Sequence, residues 1–147
     1  MEIEKKYLLK EVPELEKFEH HKIEQAYLCT GPVVRVRRED ENYYMTYKGS
    51  GMMSREEYNL PLTKESYEHL KAKADGNVIS KTRYLIPLEG TDLVAEVDVF
   101  EKPFAPLILA EVEFVSEDAA NAFIPPEWFG EDVTFSTKYH NSNLSKK

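Results

Sequence analysis

Glu2, Glu4 and Lys6 lie two residues apart, and positions two apart on an extended chain share a face, so two carboxylates and an ammonium would project together. The spacing recurs at Arg35/Arg37, Thr46/Lys48, Arg55/Glu57, Lys81/Arg83, Glu96/Asp98 and Glu111/Glu113. A solvated sheet face would scatter Ser, Thr, Gln and Lys among its charges. Here basic pairs and acidic pairs segregate onto different strands, with like charges about 7 Å apart, an arrangement that calls for counter-ions. Seven basic groups (Lys6, Arg35, Arg37, Lys48, Arg55, Lys81, Arg83) face seven acidic ones (Glu2, Glu4, Glu57, Glu96, Asp98, Glu111, Glu113), so the set is neutral by itself. Guanidinium and ammonium groups grip phosphate oxygens, and clustered carboxylates favour hard cations such as Mg²⁺ or Mn²⁺. One or two such ions would supply the positive charge that a triphosphate needs. The chemistry these types imply is metal-assisted phosphoryl transfer.

Strands must position these residues. Ile23 to Thr30, Val33 to Glu39, Tyr43 to Lys48, Arg55 to Leu60, Val78 to Ile86, Leu93 to Phe100 and Leu107 to Val115 alternate in the strand manner, with turn signals at Gly31-Pro32, Glu39 to Asn42, Gly49-Ser50-Gly51 and Gly90. Opposite the charges lie Ile3, Val34, Val36, Tyr43, Met45, Tyr47, Tyr58, Leu60, Tyr84, Ile86, Leu93, Val97, Val99, Ile108, Val112 and Phe114, which reads as a buried face under helices and loops. Thr63 is the expected N-cap of a helix to about Asp75, with Glu65 in its first turn and Gly76 at its stop. Ser116 caps a second helix to about Phe123. Val12 to Phe18 reads as a short helical excursion, Pro125 to Gly130 as a tight connector and Thr134 to Lys147 as an aperiodic polar tail. The class is α+β with mostly antiparallel pairing, and closing the sheet into a barrel would remove its edges.

The totals exclude several partners. A length of 147 residues suits one domain, 1–147. A net charge of −8 argues against a duplex nucleic-acid binder, whose affinity comes from phosphate neutralisation. No apolar run approaches the ~20 residues of a membrane helix, no signal-like stretch opens the chain, and Cys29 is a lone cysteine. The expectation is a cytoplasmic protein without a membrane partner, monomer or homodimer. His20-His21, His69 and His140 are too scattered to suggest zinc, and Gly49 and Gly51 lack the Lys-Ser/Thr of a P-loop.

Glu2-Ile3-Glu4-Lys5-Lys6 has the ExExK form of the CYTH proteins, or triphosphate tunnel metalloenzymes. Arg35-Val36-Arg37, Thr46-Tyr47-Lys48-Gly49, Arg55-Glu56-Glu57-Tyr58, Lys81-Thr82-Arg83-Tyr84, Glu96-Val97-Asp98, Glu111-Val112-Glu113 and the ending Tyr139 to Leu144 follow in the order of the short bacterial members, so the chain resembles them over nearly its whole length. The resemblance implies an eight-stranded antiparallel barrel forming an open tunnel, with a charged lumen and a few helices outside, that binds a triphosphate and one or two Mg²⁺ or Mn²⁺ ions. Carried over residue by residue, Glu2, Glu4, Glu111 and Glu113 resemble the metal ligands, and Arg35, Arg37, Lys48, Arg55, Lys81 and Arg83 the phosphate grip. Lys6 resembles the residue orienting substrate near the metal, Glu96, Asp98 and Glu57 are candidates for positioning water, and Lys138 is a weaker candidate. The activity implied is hydrolysis of inorganic triphosphate to pyrophosphate and phosphate. The rivals are hydrolysis of ATP or thiamine triphosphate, cyclisation of ATP, and binding of polyphosphate or nucleotide without chemistry.

Overall fold

The alternation of charged and apolar residues becomes, in a computed structural model describing residues 1–146, a nearly closed antiparallel β-barrel. Its strands are β1 (Glu2–Leu9), β2 (Glu19–Thr30), β3 (Val33–Glu39), β4 (Asn42–Lys48), β5 (Ser54–Arg55), β6 (Glu57–Pro61), β7 (Asp75–Pro87), β8 (Val94–Phe100), β9 (Ile108–Glu113) and β10 (Phe129–Asp132). Helices α1 (Lys64–Lys71), α2 (Glu117–Ala122) and α3 (Asn141–Leu144) and a 3-10 turn (Thr137–Tyr139) complete the described residues. Neighbours run β1-β9-β8-β7-β2-β3-β4-β6. β5, one residue before β6, pairs with β1 through Glu2↔Arg55 and Ile3↔Ser54 and draws the sheet round on itself. β10 takes the far end of β1 through Tyr7↔Asp132 and Leu9↔Phe129.

Ten strand segments therefore replace the eight expected. Glu56 interrupts one expected strand, splitting it into β5 and β6, and Phe129–Asp132, read as connector, is a strand because its backbone completes the edge of β1.

Two apolar clusters lie on the outer wall. Tyr7, Ile86, Val97, Val112 and Phe114 are covered by Ala120 of α2 and Phe129 of β10. Ala26 and Val36 are covered by Tyr67 of α1, with Leu62 and Leu70 beside it. Thr63 caps α1 as expected, its hydroxyl accepting the Ser66 amide at 3.0 Å while Ser66 Oγ accepts the Thr63 amide. Ser116 caps α2 by accepting the Ala119 amide.

The third cluster is inside. Tyr27, Ile79, Phe100 and Leu109 pack together with Val33 and Val133. They are the strand positions next in phase after Gln25, Lys81, Asp98 and Glu111, so they share the inward face with those polar groups. Leu144 and Tyr139 pack on them from the C-terminal segment. The interior of the barrel thus carries an apolar floor at one end of its charged lumen.

Other expectations change as well. Val12 to Phe18 contains no helix; a single turn closed by the Phe18 amide on Leu15 O leads into β2, and both side chains pack on the first cluster. α1 stops at Lys71, and Gly76 lies inside β7 at φ +76°, where a Cβ would collide with Ser145 O. The polar tail folds into α3 against that site, with the Asn77 amide donating to Ser145 O. Tyr47, Tyr58 and Leu60, expected to be buried, are 39%, 58% and 53% exposed, because α1 covers β2 to β4 and no helix reaches the far half of β4 and β6.

Candidate active site

A cavity of about 240 Å³ opens above the apolar floor. Strand phase alone brings most of its lining together: β1 supplies Glu2, Glu4 and Lys6, β3 Arg35 and Arg37, β9 Glu111 and Glu113, and β4, β5, β6, β7 and β8 supply Lys48, Arg55, Glu57, Arg83 and Glu96. Twelve of the fourteen residues singled out from the sequence line it. Lys81 and Asp98 do not; they sit one strand step above Ile79 and Phe100, at the level of the floor, where neither is exposed. Lys138 is exposed, its ammonium over the Tyr139 ring, and also lies off the cavity.

The acidic wall is formed across β1 and β9, where register sets Glu4 opposite Glu113 and Lys6 opposite Glu111. Glu2 accepts from Lys48 Nζ at 2.9 Å, and that ammonium lies 3.4 Å from Glu57. Glu111 lies 3.4 Å from Lys6 Nζ and 3.6 Å from Arg83 Nη2. Glu4 and Glu113 have no ion pair among the described residues. Burial first, then the Glu111 and Glu2 carboxylates, push Glu4 up to about 8. Burial also raises Glu111, but Lys6, Arg83 and Lys81 reverse this and hold it well below the usual carboxylate range. Burial raises Glu96 despite Arg83, whose Nη1 is 3.3 Å away.

Among the described residues no three His, Cys, Asp or Glu side chains form a closed metal cluster, since cations hold Glu2 and Glu111. The donor set nevertheless fits a hard divalent ion: four carboxylates on adjacent strands, two of them without a cation. Glu2, Glu4, Glu111 and Glu113 are the residues that would hold it.

The basic groups divide into two kinds. Lys6, Lys48, Lys81 and Arg83 are each ion-paired. Arg83 is held by Asp98 through two bonds, Nε to Oδ1 at 2.8 Å and Nη2 to Oδ2 at 2.9 Å, and Lys81 Nζ lies 2.7 Å from Asp98 Oδ2, off the hydrogen-bonding direction. Burial, with Arg83 and Arg37 nearby, pushes Lys81 down to about 7 against the pull of Asp98. Arg35, Arg37 and Arg55 have no ion pair among the described residues, and the buried Nε atoms of Arg35 and Arg55 have no hydrogen-bond partner at all. Three guanidinium groups without an ion pair, lining a polar cavity, have the chemistry an anion would satisfy.

Several lining residues were not legible in the sequence. Tyr27, Tyr44 and Glu39 continue the inward phases of β2, β4 and β3. Thr134, His140, Asn141 and Ser142 come from the C-terminal segment, and Lys6 Nζ donates to Tyr139 O at 3.1 Å. Inward phase was the available signal for the first three; the second group had none, because non-strand residues reach the cavity only through tertiary packing.

The CYTH domain family model matches residues 1–146. The inorganic triphosphatase of Nitrosomonas europaea is 42% identical over 147 residues, an alignment covering 98% of this chain and 96% of that protein. The inorganic triphosphatase of Acetivibrio thermocellus is 39% identical over 116 residues, 77% of this chain and 71% of that protein. The crystal structure of the inorganic triphosphatase NE1496 superposes with a TM-score of 0.74 at 38% identity, covering all of this chain and 95% of that one. With its acidic wall and unpaired arginines set in a barrel like theirs, and the family match running from the first residue to residue 146, the chain belongs to the CYTH domain family.

Proposed function

We propose that the protein is a divalent-metal-dependent triphosphatase that hydrolyses inorganic triphosphate to pyrophosphate and phosphate. One observation carries the reading: Arg35, Arg37 and Arg55 line a cavity and have no ion pair among the described residues, while Glu4 and Glu113, which line the same cavity, have none either. A polyanion and a cation would each satisfy one side. The naming of both relatives supports the substrate class. The cavity, about 240 Å³, falls below the roughly 300–1,000 Å³ of pockets that hold larger organic ligands, which favours a bare phosphate chain over ATP or thiamine triphosphate.

In this reading Arg35, Arg37 and Arg55 bind and align the phosphate chain, and Lys6 and Lys48 reach the end nearest the acidic wall. Bound there, Mg²⁺ or Mn²⁺ supplies charge neutralisation at the terminal phosphoryl group. One carboxylate, Glu96 or Glu57, orients a water in line with that group and accepts its proton as the new P–O bond forms and the bridging P–O bond breaks, releasing pyrophosphate. Arg83, fixed by Asp98, lends one edge of its guanidinium to the cavity, and Lys81 balances Asp98 beneath it.

The test is phosphate release from tripolyphosphate with Mg²⁺ and with Mn²⁺, beside ATP and thiamine triphosphate. Turnover is expected with tripolyphosphate, is lost on chelation, and falls by about 100-fold or more in Glu111→Gln/Glu113→Gln. Absence of turnover with both metals refutes the reading.

A further inference from the structure

Gln25 is a neutral side chain at a charged position. It lies on the inward face of β2 and has no exposed surface, and its amide is used at both ends. Oε1 accepts from Arg37 Nε at 2.8 Å, and Nε2 donates to the Tyr27 hydroxyl at 3.4 Å. On the other side of Arg37, Nη1 donates to the Tyr44 hydroxyl at 3.4 Å. Arg37 is thus oriented by an amide and a phenol, with no carboxylate at ion-pair distance among the described residues.

Arg83, across β2 on β7, meets the same requirement differently. It too is a buried arginine whose Nε edge needs an acceptor, and there the acceptor is Asp98, which neutralises it. The fold therefore contains both solutions within one basin. A Glu at position 25 would fit the same volume and bond Arg37 more strongly. It would also cancel the charge that Arg37 offers to an anion.

We propose that Gln25 is a positioning residue for substrate binding, which fixes the Arg37 guanidinium through a neutral acceptor so that its full charge faces the phosphate chain. The proposal rests on the tripolyphosphate reading. An amide that merely satisfied a buried network would be replaceable by the isosteric carboxylate without effect on affinity.

The experiment compares wild type, Gln25→Glu and Gln25→Met in steady-state tripolyphosphate hydrolysis and thermal melting. Gln25→Glu is expected to melt at or above the wild-type temperature and raise KM about tenfold or more, with kcat changed by less than about threefold. Gln25→Met, which keeps the charge and loses the acceptor, is expected to raise KM by a smaller factor. A folded Gln25→Glu with KM within about twofold of wild type overturns the proposal. If that variant does not fold, Gln25→Met decides, and an unchanged KM there overturns it equally. Wild type without tripolyphosphate turnover overturns this proposal together with the functional reading; a wild type that turns over beside a variant of unchanged KM overturns this one alone.

Discussion

Asp98→Asn is the substitution that most directly tests how the charged basin is built. Asp98 has no exposed surface and takes both of its partners at short range, Lys81 at 2.7 Å and Arg83 at 2.8 and 2.9 Å. Burial alone would raise its pKa, but Arg83 and Lys81 reverse this and hold it below the usual range. Asn keeps the volume and removes the charge, leaving Arg83 without its two-bonded partner and the buried Lys81 without a counter-charge. Breaking a buried pair in this way costs about 3–5 kcal/mol. For a chain of 147 residues each kcal/mol corresponds to roughly 2–4 °C in Tm, so a fall of about 10 °C is expected. Lys81→Met alone should cost less, since Asp98 retains its two bonds from Arg83. The double variant should recover at least about 1 kcal/mol relative to additivity, because removing the ammonium relieves the repulsion that Asp98→Asn creates. Urea denaturation of the four proteins measures the cycle. A singly substituted Asp98→Asn that melts within about 2 °C of wild type and yet has no turnover would refute the structural account and make Asp98 a group acting on substrate.

Two further outcomes are expected. Gly76→Ala should destabilise by about 1–3 kcal/mol, since the position has φ +76° and a Cβ there would collide with Ser145 O; because Ser145 belongs to the segment that brings His140 and Asn141 to the cavity, KM for tripolyphosphate should rise as Tm falls, and a variant with wild-type melting would show that the contact is dispensable. Protonated His21 donates from Nδ1 to Asp40 at 2.6 Å and from Nε2 to Glu19 at 2.8 Å, and these hydrogen bonds raise its pKa above the ordinary value of 6.5. Folded His21 therefore holds its proton more tightly than the unfolded chain does, so the stabilisation is complete below pH 6.5 and is lost as pH rises through the raised value; Tm of wild type should decline over that window relative to His21→Ala, and parallel pH profiles would disprove the linkage.

What the sequence made legible was phase. Charges two apart on a strand must share a face, and apolar residues between them must take the other, so twelve of the fourteen singled-out side chains reach one cavity without any tertiary information. Phase does not say how far along the barrel axis a residue stands. Lys81 and Arg83 look equivalent in sequence, but Lys81 is one step nearer Ile79, where the apolar floor and Asp98 cover it. Nor does phase say what covers an outer face: Tyr47 and Val36 both point outward, and only Val36 lies beneath α1. The floor itself was invisible for a related reason. Tyr27, Ile79, Phe100 and Leu109 each look like an ordinary strand hydrophobe; phase with Gln25, Lys81, Asp98 and Glu111 turns them inward, but that they meet in one floor follows only once the register across β2, β7, β8 and β9 is known.

The neutral total of the basin's charges conceals an unequal division that decides what the site can bind. Were every cation matched to a carboxylate, the interior would be self-satisfied, and an incoming anion would have to break ion pairs to enter. Were none matched, the buried charges among them would carry the full desolvation penalty in the empty protein. Asp98, Glu111 and Glu2 instead hold Arg83, Lys6 and Lys48 near the floor and the acidic wall, which keeps the empty barrel folded. Arg35, Arg37 and Arg55 are left without an ion pair among the described residues, Arg55 beside Glu2 where β5 pairs with β1, and Glu4 and Glu113 are likewise without one. In the proposed reading a phosphate chain would bind at the guanidinium groups that lack an ion pair and a divalent ion at the carboxylates that lack one, and each would lower the cost of binding the other. Removing the carboxylates at Glu4 and Glu113 should therefore weaken binding of the phosphate chain only when Mg²⁺ or Mn²⁺ is present, and strengthen it when the metal is chelated.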